Sequence, residues 1–163
     1  MPGRGFAEKF AMLIATGFGV SLVSPFAPGT FGSAAGVLLS MWTVTLPVPL
    51  QALFALGLAF LAIPFCTIGE RVFAKKDDGR IVADEWMLYP LGVLGLPLWD
   101  RLWLVPVSFV VIRLVDIVKP WPARGLQRIE GGLGVVIDDF FANLWSLGIN
   151  WGIWLAYCRY FAG

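Results

Sequence analysis

The sequence predicts an all-α fold: a multi-pass helical membrane protein with about five spanning helices and an N-terminal helix that is re-entrant or interfacial. Three observations carry this expectation. Apolar residues make up 58% of the 163 residues and charged residues 14%, against roughly 45–50% and about 25% in ordinary globular domains; mean hydropathy is +0.79. Apolar segments follow one another with short polar or proline-containing breaks. The segments also lack the two-residue alternation of barrel strands, and backbone groups in lipid must be satisfied within a helix or a closed barrel. The length suits a single domain, residues 1–163. Eight Trp and thirteen Phe suit interfacial belts and a lipid-facing surface.

The elements follow in order. Residues 10–23 are apolar with small side chains but short for a span. Residues 31–46 end at the uncharged Pro47-Val48-Pro49 turn, and residues 50–69 form a second clear apolar run. Residues 81–98 are apolar apart from Asp84 and Glu85. Residues 101–118 are interrupted by Arg113 and Asp116, and residues 134–158 by Asp138 and Asp139. A hydrocarbon core of about 30 Å needs roughly 17–25 helical residues, so several of these are marginal or tilted.

Basic residues set the expected orientation. Arg4 and Lys9, then Arg71, Lys75, Lys76 and Arg80, then Lys119, Arg124 and Arg128 form three clusters, whereas the turns at 47–49 and 97–101 carry little charge. With basic loops on the cytoplasmic side, the five runs alternate and residues 10–23 stay inside. The unusual polar residues then converge at one depth near the cytoplasmic headgroups.

Several chemistries are excluded early. The chain has no histidine, which removes histidine bases, triads and histidine metal sites. Cys66 and Cys158 lie in apolar runs and read as small buried hydrophobes. Cys66 to Arg71 has four intervening residues, where a cysteine-phosphatase loop needs five. Net charge is +1, with no basic runs to grip a phosphate backbone, so no nucleic-acid partner is expected. No cleavable signal peptide is expected.

What remains is oxygen chemistry. A carboxylate within a membrane helix costs roughly 2.5–3.5 kcal/mol, less near the interface. Arg113 lies three residues before Asp116 and Lys119 three after it, so the three share a helix face. That leaves Asp84, Glu85, Asp138 and Asp139 with few bases nearby. A divalent cation is an economical partner, and oxygen-rich sites without histidine suit Mg²⁺ or Mn²⁺; capping of helix N-termini by these acids is the alternative. The segment Ser24-Pro25-Phe26-Ala27-Pro28-Gly29-Thr30-Phe31-Gly32-Ser33 leads into a helix whose free N–H groups suit a phosphate, with Ser24, Thr30 and Ser33 as added hydroxyls; it reads equally as a capped turn. Lys119 and Arg124 flank a proline-rich break and suit phosphate binding. Asp77-Asp78-Gly79 reads as a solvated turn.

Taken together, these stretches resemble the bacterial phosphatidylglycerophosphatase A family. The resemblance rests on Ser24-Pro25 through Pro28-Gly29-Thr30 and Gly32-Ser33, on Ile81-Val82 with Asp84-Glu85, and on Arg113, Asp116, Lys119, Pro120 and Pro122 at their spacing. Gly131-Gly132-x-Gly134 with Asp138-Asp139 completes it. It covers residues 17 to 143, in the family's order. The chain departs at Leu88 and Asn143, where members usually carry glycine, and at Glu130, where some carry histidine.

The resemblance implies Mg²⁺-dependent removal of the terminal phosphate from phosphatidylglycerophosphate, giving phosphatidylglycerol, in the bacterial inner membrane. On that reading Asp84, Glu85, Asp138 and Asp139 hold Mg²⁺, with Asp116 either a ligand or held by Arg113. Arg113, Lys119, Arg124 and the 24–33 segment (Ser24, Gly29, Thr30, Ser33) bind phosphate, and one unligated carboxylate, with Asp139 the candidate, is the base, a covalent route through an aspartate or Thr30 being the alternative. The competing class is a cation- or proton-coupled transporter, which would distribute its acids at several depths along a pore.

Overall fold

The computed structural model describes residues 5–23 and 27–161, and within them it is helical with no strand. Eight helices are present among the described residues: α1 (Phe6–Ala15), α2 (Val20–Val23), α3 (Pro28–Thr43), α4 (Val48–Phe73), α5 (Ala83–Gly92), α6 (Leu104–Val118), α7 (Ala123–Leu126) and α8 (Gly132–Phe161). Proline and left-handed residues punctuate them. Pro28 opens α3, and α4 opens behind Pro47 with a proline in its first turn, where a missing N–H costs nothing. Ala74 closes α4 and Lys119 closes α6, both in the left-handed region (φ 52° and 44°).

The centre is α5. Its Ala83, Asp84 and Met87 through Gly92 are buried, and it is wrapped by α3, α4, α6 and α8. One half of α5 packs into a core with Ala59, Ala62, Cys66, Val135 and Val136. The other half, from Tyr89 to Val93, packs with Leu96, Leu98, Leu104 and Ile112. The wall formed by α3 is made of small residues: Gly29, Gly32, Ser33, Gly36, Ser40 and Thr43 are its buried face, spaced three and four apart. At Gly36 a Cβ would lie 2.5 Å from Tyr89 Cβ, so the backbone of α3 rests directly on the Tyr89 side chain of α5.

The helices alternate in direction. Gln51 near the start of α4 accepts the Gly95 N–H (2.9 Å), while Thr67 near its end accepts the N–H of Gly132, the first residue of α8 (3.2 Å). Asn150 of α8 donates to the carbonyl of Gly92 (2.9 Å). Helices α3, α5 and α8 therefore start at the end where α4 and α6 finish, as the distribution of basic residues predicts.

The expected count of about five spanning helices is not reached by helix length. Among the described residues two helices, α4 (26 residues) and α8 (30 residues), are long and apolar enough to cross a membrane. Helices α3 and α6 have 16 and 15 residues, about 24 and 22 Å at 1.5 Å per residue. The run 81–98 contains only ten helical residues; Pro90 lies inside α5, and turns replace helix from Val93 to Trp103. Residues 10–23 divide into most of α1, a turn and the four-residue α2, docked where the Val82 N–H donates to Ala15 (2.8 Å) and Ser21 Oγ to Arg80 (2.6 Å). The outer surface carries large apolar side chains, among them Leu38, Leu53, Phe60, Leu114 and Leu155, each more than half exposed. A surface so apolar is compatible with membrane association.

Candidate active site

The starts of α3, α5 and α8 and the end of α6 meet at one end of the bundle and bring five carboxylates against two cations. Asp84 and Glu85 occupy the first turn of α5, where the positive end of the helix dipole favours them. Asp138 and Asp139 lie in the second turn of α8 and are 1% and 3% exposed. Asp116, in the last turn of α6, lies between the two cations.

Each cation binds more than one acid. Arg113 Nη1 donates to Asp116 Oδ2 (2.9 Å) and to Ser33 Oγ (3.2 Å), and stands 3.4 Å from Glu85 Oε1. Lys119 Nζ donates to Asp138 Oδ2 and to Asp139 Oδ1 (3.1 Å) and stands 3.6 Å from Asp116 Oδ1. Asp116 is thus held by Arg113, one of the two roles the sequence leaves open for it. The Asp139 N–H donates to Asp138 Oδ1 (3.0 Å), and Asn143 Nδ2 donates to the Asp139 carbonyl (3.0 Å).

Two carboxylate oxygens are left over. Asp84 is 6% exposed, and its Oδ1 has no hydrogen-bond partner; Glu85 Oε2 is also buried and unpartnered. Buried polar atoms without partners are rare because each costs on the order of 1–3 kcal/mol, more when charged. Asp84 lies within electrostatic reach of Asp116 and Asp139. The donors are all oxygen, which suits a hard cation, and these open oxygens are where one would attach. Among the described residues, no three acids stand close enough to grip an ion as the side chains lie.

The remaining residues that the sequence nominates divide. Gly29 and Gly32 face the Glu85 carboxylate so closely that a Cβ at either would collide with it, and at Gly29 the collision extends to Arg113 Nη2 (2.8 Å). Ser33 is buried and positions Arg113. Thr30 and Arg124 are exposed and make no ion pair or hydrogen bond with the cluster; Thr30 is one residue, about 100°, round the helix from Gly29. Ser24 lies outside the described residues. Sequence reasoning treats Asp77 as part of a solvated turn. It is exposed, but its N–H donates to Glu70 Oε1 (2.8 Å) in a left-handed conformation, and its charge acts on Asp84 and Asp138. Its left-handed backbone is a feature the sequence hints at only through the neighbouring Asp78-Gly79.

A family model for phosphatidylglycerophosphatase A matches residues 13–154, which include every charged member of the cluster. The chain belongs to the phosphatidylglycerophosphatase A family. Phosphatidylglycerophosphatase A of Escherichia coli (strain K12) is 36% identical over 138 residues, covering 84% of this chain and 79% of that protein. The Haemophilus influenzae protein of the same name is 32% identical over 143 residues, 86% of each chain. A provisionally named phosphatidylinositol-3-phosphatase of Bacteroides thetaiotaomicron is 36% identical over 142 residues, 83% of this chain and 87% of that one. No solved structure matches the chain.

Proposed function

We propose that this member of the phosphatidylglycerophosphatase A family hydrolyses the terminal phosphate of phosphatidylglycerophosphate with the help of Mg²⁺, releasing phosphatidylglycerol and phosphate. The observation that carries the reading is the pair of unpartnered buried oxygens, on Asp84 and Glu85, beside a cluster of acids and two cations. Asp84 and Glu85 would hold the ion, with Asp138 beside them. When bound, the cation would supply Lewis-acid screening of the phosphate charge.

The protein's own groups carry the rest. Arg113 is oriented by Ser33 and Asp116, which leaves its Nη2 edge facing the start of α3 at Gly29. A phosphate there meets a guanidinium and a helix N-terminus together. The Glu85 carboxylate lies against that helix end and would shift to admit the substrate. Lys119 holds Asp138 and Asp139 in position and supplies positive charge as phosphate oxygens accumulate negative charge. Asp139, on a rigid helix and fixed through its backbone by Asn143, is the candidate base that takes a proton from the attacking water.

The acids lie at one end of a bundle whose flanks are apolar, so the site would lie at headgroup depth on the cytoplasmic side of a bacterial inner membrane, with the acyl chains remaining in lipid. A transporter reading is not favoured, because the acids do not extend along the bundle axis. The deciding experiment is phosphate release from phosphatidylglycerophosphate in mixed micelles, with Mg²⁺ and with excess EDTA. Release should require Mg²⁺; release that persists in EDTA would overturn the metal, and no release under either condition would overturn the substrate.

A further inference from the structure

Outside the carboxylate cluster, the outer seam between α4 and α8 carries two adjoining hollows of opposite character. The first is an apolar furrow of about 190 Å³, edged by Leu56, Phe60 and Leu133 and floored by Ile63, Val136 and Phe140. Leu56, Phe60 and Leu133 are 43%, 73% and 45% exposed, so the furrow is open along its length. It runs from Leu56 to Ile63, about 10 Å along α4.

One turn further along the same seam, at the cluster end of the bundle, the lining changes. An open cavity of about 420 Å³ is bounded by Thr67, Glu70, Arg71, Lys75, Lys76 and, across the seam, Glu130 beside Gly131. Glu70 Oε1 is taken by the Asp77 N–H, and Lys76 Nζ donates to the Arg128 carbonyl (3.2 Å). Lys75 is 66% exposed and 3.9 Å from Asp78 Oδ2, a loose pairing. Among the described residues, Arg71 makes no ion pair. The positive end of the 30-residue α8 begins at this rim. The cavity lining carries three cations, Arg71, Lys75 and Lys76, against two acids, Glu70 and Glu130, so its charge is net positive at the mouth of an apolar furrow, on the same two helices that are long enough to cross a bilayer.

From this juxtaposition we infer an accessory binding site for an anionic glycerophospholipid, with one acyl chain in the α4–α8 furrow and the phosphodiester against Arg71 and Lys75. Charge complementarity selects the occupant. The furrow alone would accept any acyl chain, and the cations favour a headgroup with net negative charge, each contributing about fivefold. The site is distinct from the candidate active site, whose acids face the inside of the bundle, away from this seam.

The test is native mass spectrometry of the full-length protein released from detergent containing equal phosphatidylglycerol and phosphatidylcholine. The wild-type protein should retain phosphatidylglycerol in preference. Arg71→Gln with Lys75→Gln should lower that preference by about 25-fold, and Ile137→Trp, which fills the furrow, should lower retention of both lipids. Lys9→Gln with Arg128→Gln, elsewhere on the basic face, and Asp139→Asn in the cluster should leave the preference intact. The inference is overturned by equal retention of the two lipids, or by a preference that survives the Arg71/Lys75 change. It is equally overturned if Lys9/Arg128 lowers the preference as much, which would mean a diffuse surface charge, or if Asp139→Asn abolishes it, which would mean that the lipid sits in the catalytic cluster.

Discussion

The two ends of the bundle use buried polar groups in opposite ways. At the end away from the acids, the side chains tie loops to helices. Gln51 donates to the Leu46 carbonyl (2.8 Å) and accepts from Gly95 (2.9 Å); Asn150 holds Gly92 (2.9 Å), Trp151 holds Leu94 (3.0 Å) and Trp99 holds Met41 (2.7 Å). Those partners are all backbone groups, so these contacts fix the turns between Val93 and Trp103. At the acidic end the two cations bind carboxylates, with Ser33 as a further partner of Arg113, and the unpartnered buried atoms there include carboxylate oxygens of Asp84 and Glu85, where the other end leaves only neutral groups such as Asn150 Oδ1. One end ties loops to helices through neutral groups, and the other sets acids against cations.

That contrast can be broken by substitution. Asp139→Asn or Asp84→Asn should cut phosphate release on the order of 100-fold or more while leaving the thermal transition in place, read by a phosphate assay beside a melting curve. Full activity in both variants would remove the catalytic assignment. Lys119→Met leaves Asp138 and Asp139 without their cation and should lower stability by about 3–5 kcal/mol, with activity lost as well; a denaturant titration in detergent measures it. At the other end, Gln51→Ala should cost about 1–3 kcal/mol of stability with activity per folded molecule unchanged. A Gln51 variant that folds normally and loses activity would erase the distinction between the ends.

The smallest effect lies on the linker before α5. Arg80 hydrogen-bonds Asp78 through Nε (2.8 Å) and Nη2 (3.0 Å), which holds the Asp78 carboxyl below its ordinary value of 3.8. The folded value is the lower one, so this contribution is complete above the unfolded value and is lost as pH falls through the folded one. Asp78→Asn should therefore lower the melting temperature by a few degrees at neutral pH, and the difference from the wild-type protein should close in acid below about pH 4.

The gathering of acids at one end is legible in the sequence because the basic clusters fix the direction of each segment. The pairing of Arg113 with Asp116 is legible too, being three residues along one helix. Lys119 reaching Asp138 and Asp139 is not, since it depends on how the end of α6 lies against α8. The glycines at 29 and 32 announce a close approach but not its object, which proves to be the Glu85 side chain. The shortness of α5 is written in Pro90 and Pro97, yet the apolar run continues through them, because Leu96 and Leu98 are buried in turns rather than in helix.

The start of α8 has a consequence for chain length. A Cβ at Gly132 would strike Thr67 and the Ile63 carbonyl, and one at Gly134 the Ile129 carbonyl, so the helix is seated at a fixed point. Asp138 and Asp139 follow less than two turns later, and Lys119 meets them there. A single residue inserted between Gly134 and Asp138 would turn both acids about 100° and shift them about 1.5 Å, carrying them away from Lys119. Between those points the reading frame of the helix matters more than the identity of any side chain, and a conservative replacement is tolerable where an insertion of one residue is not.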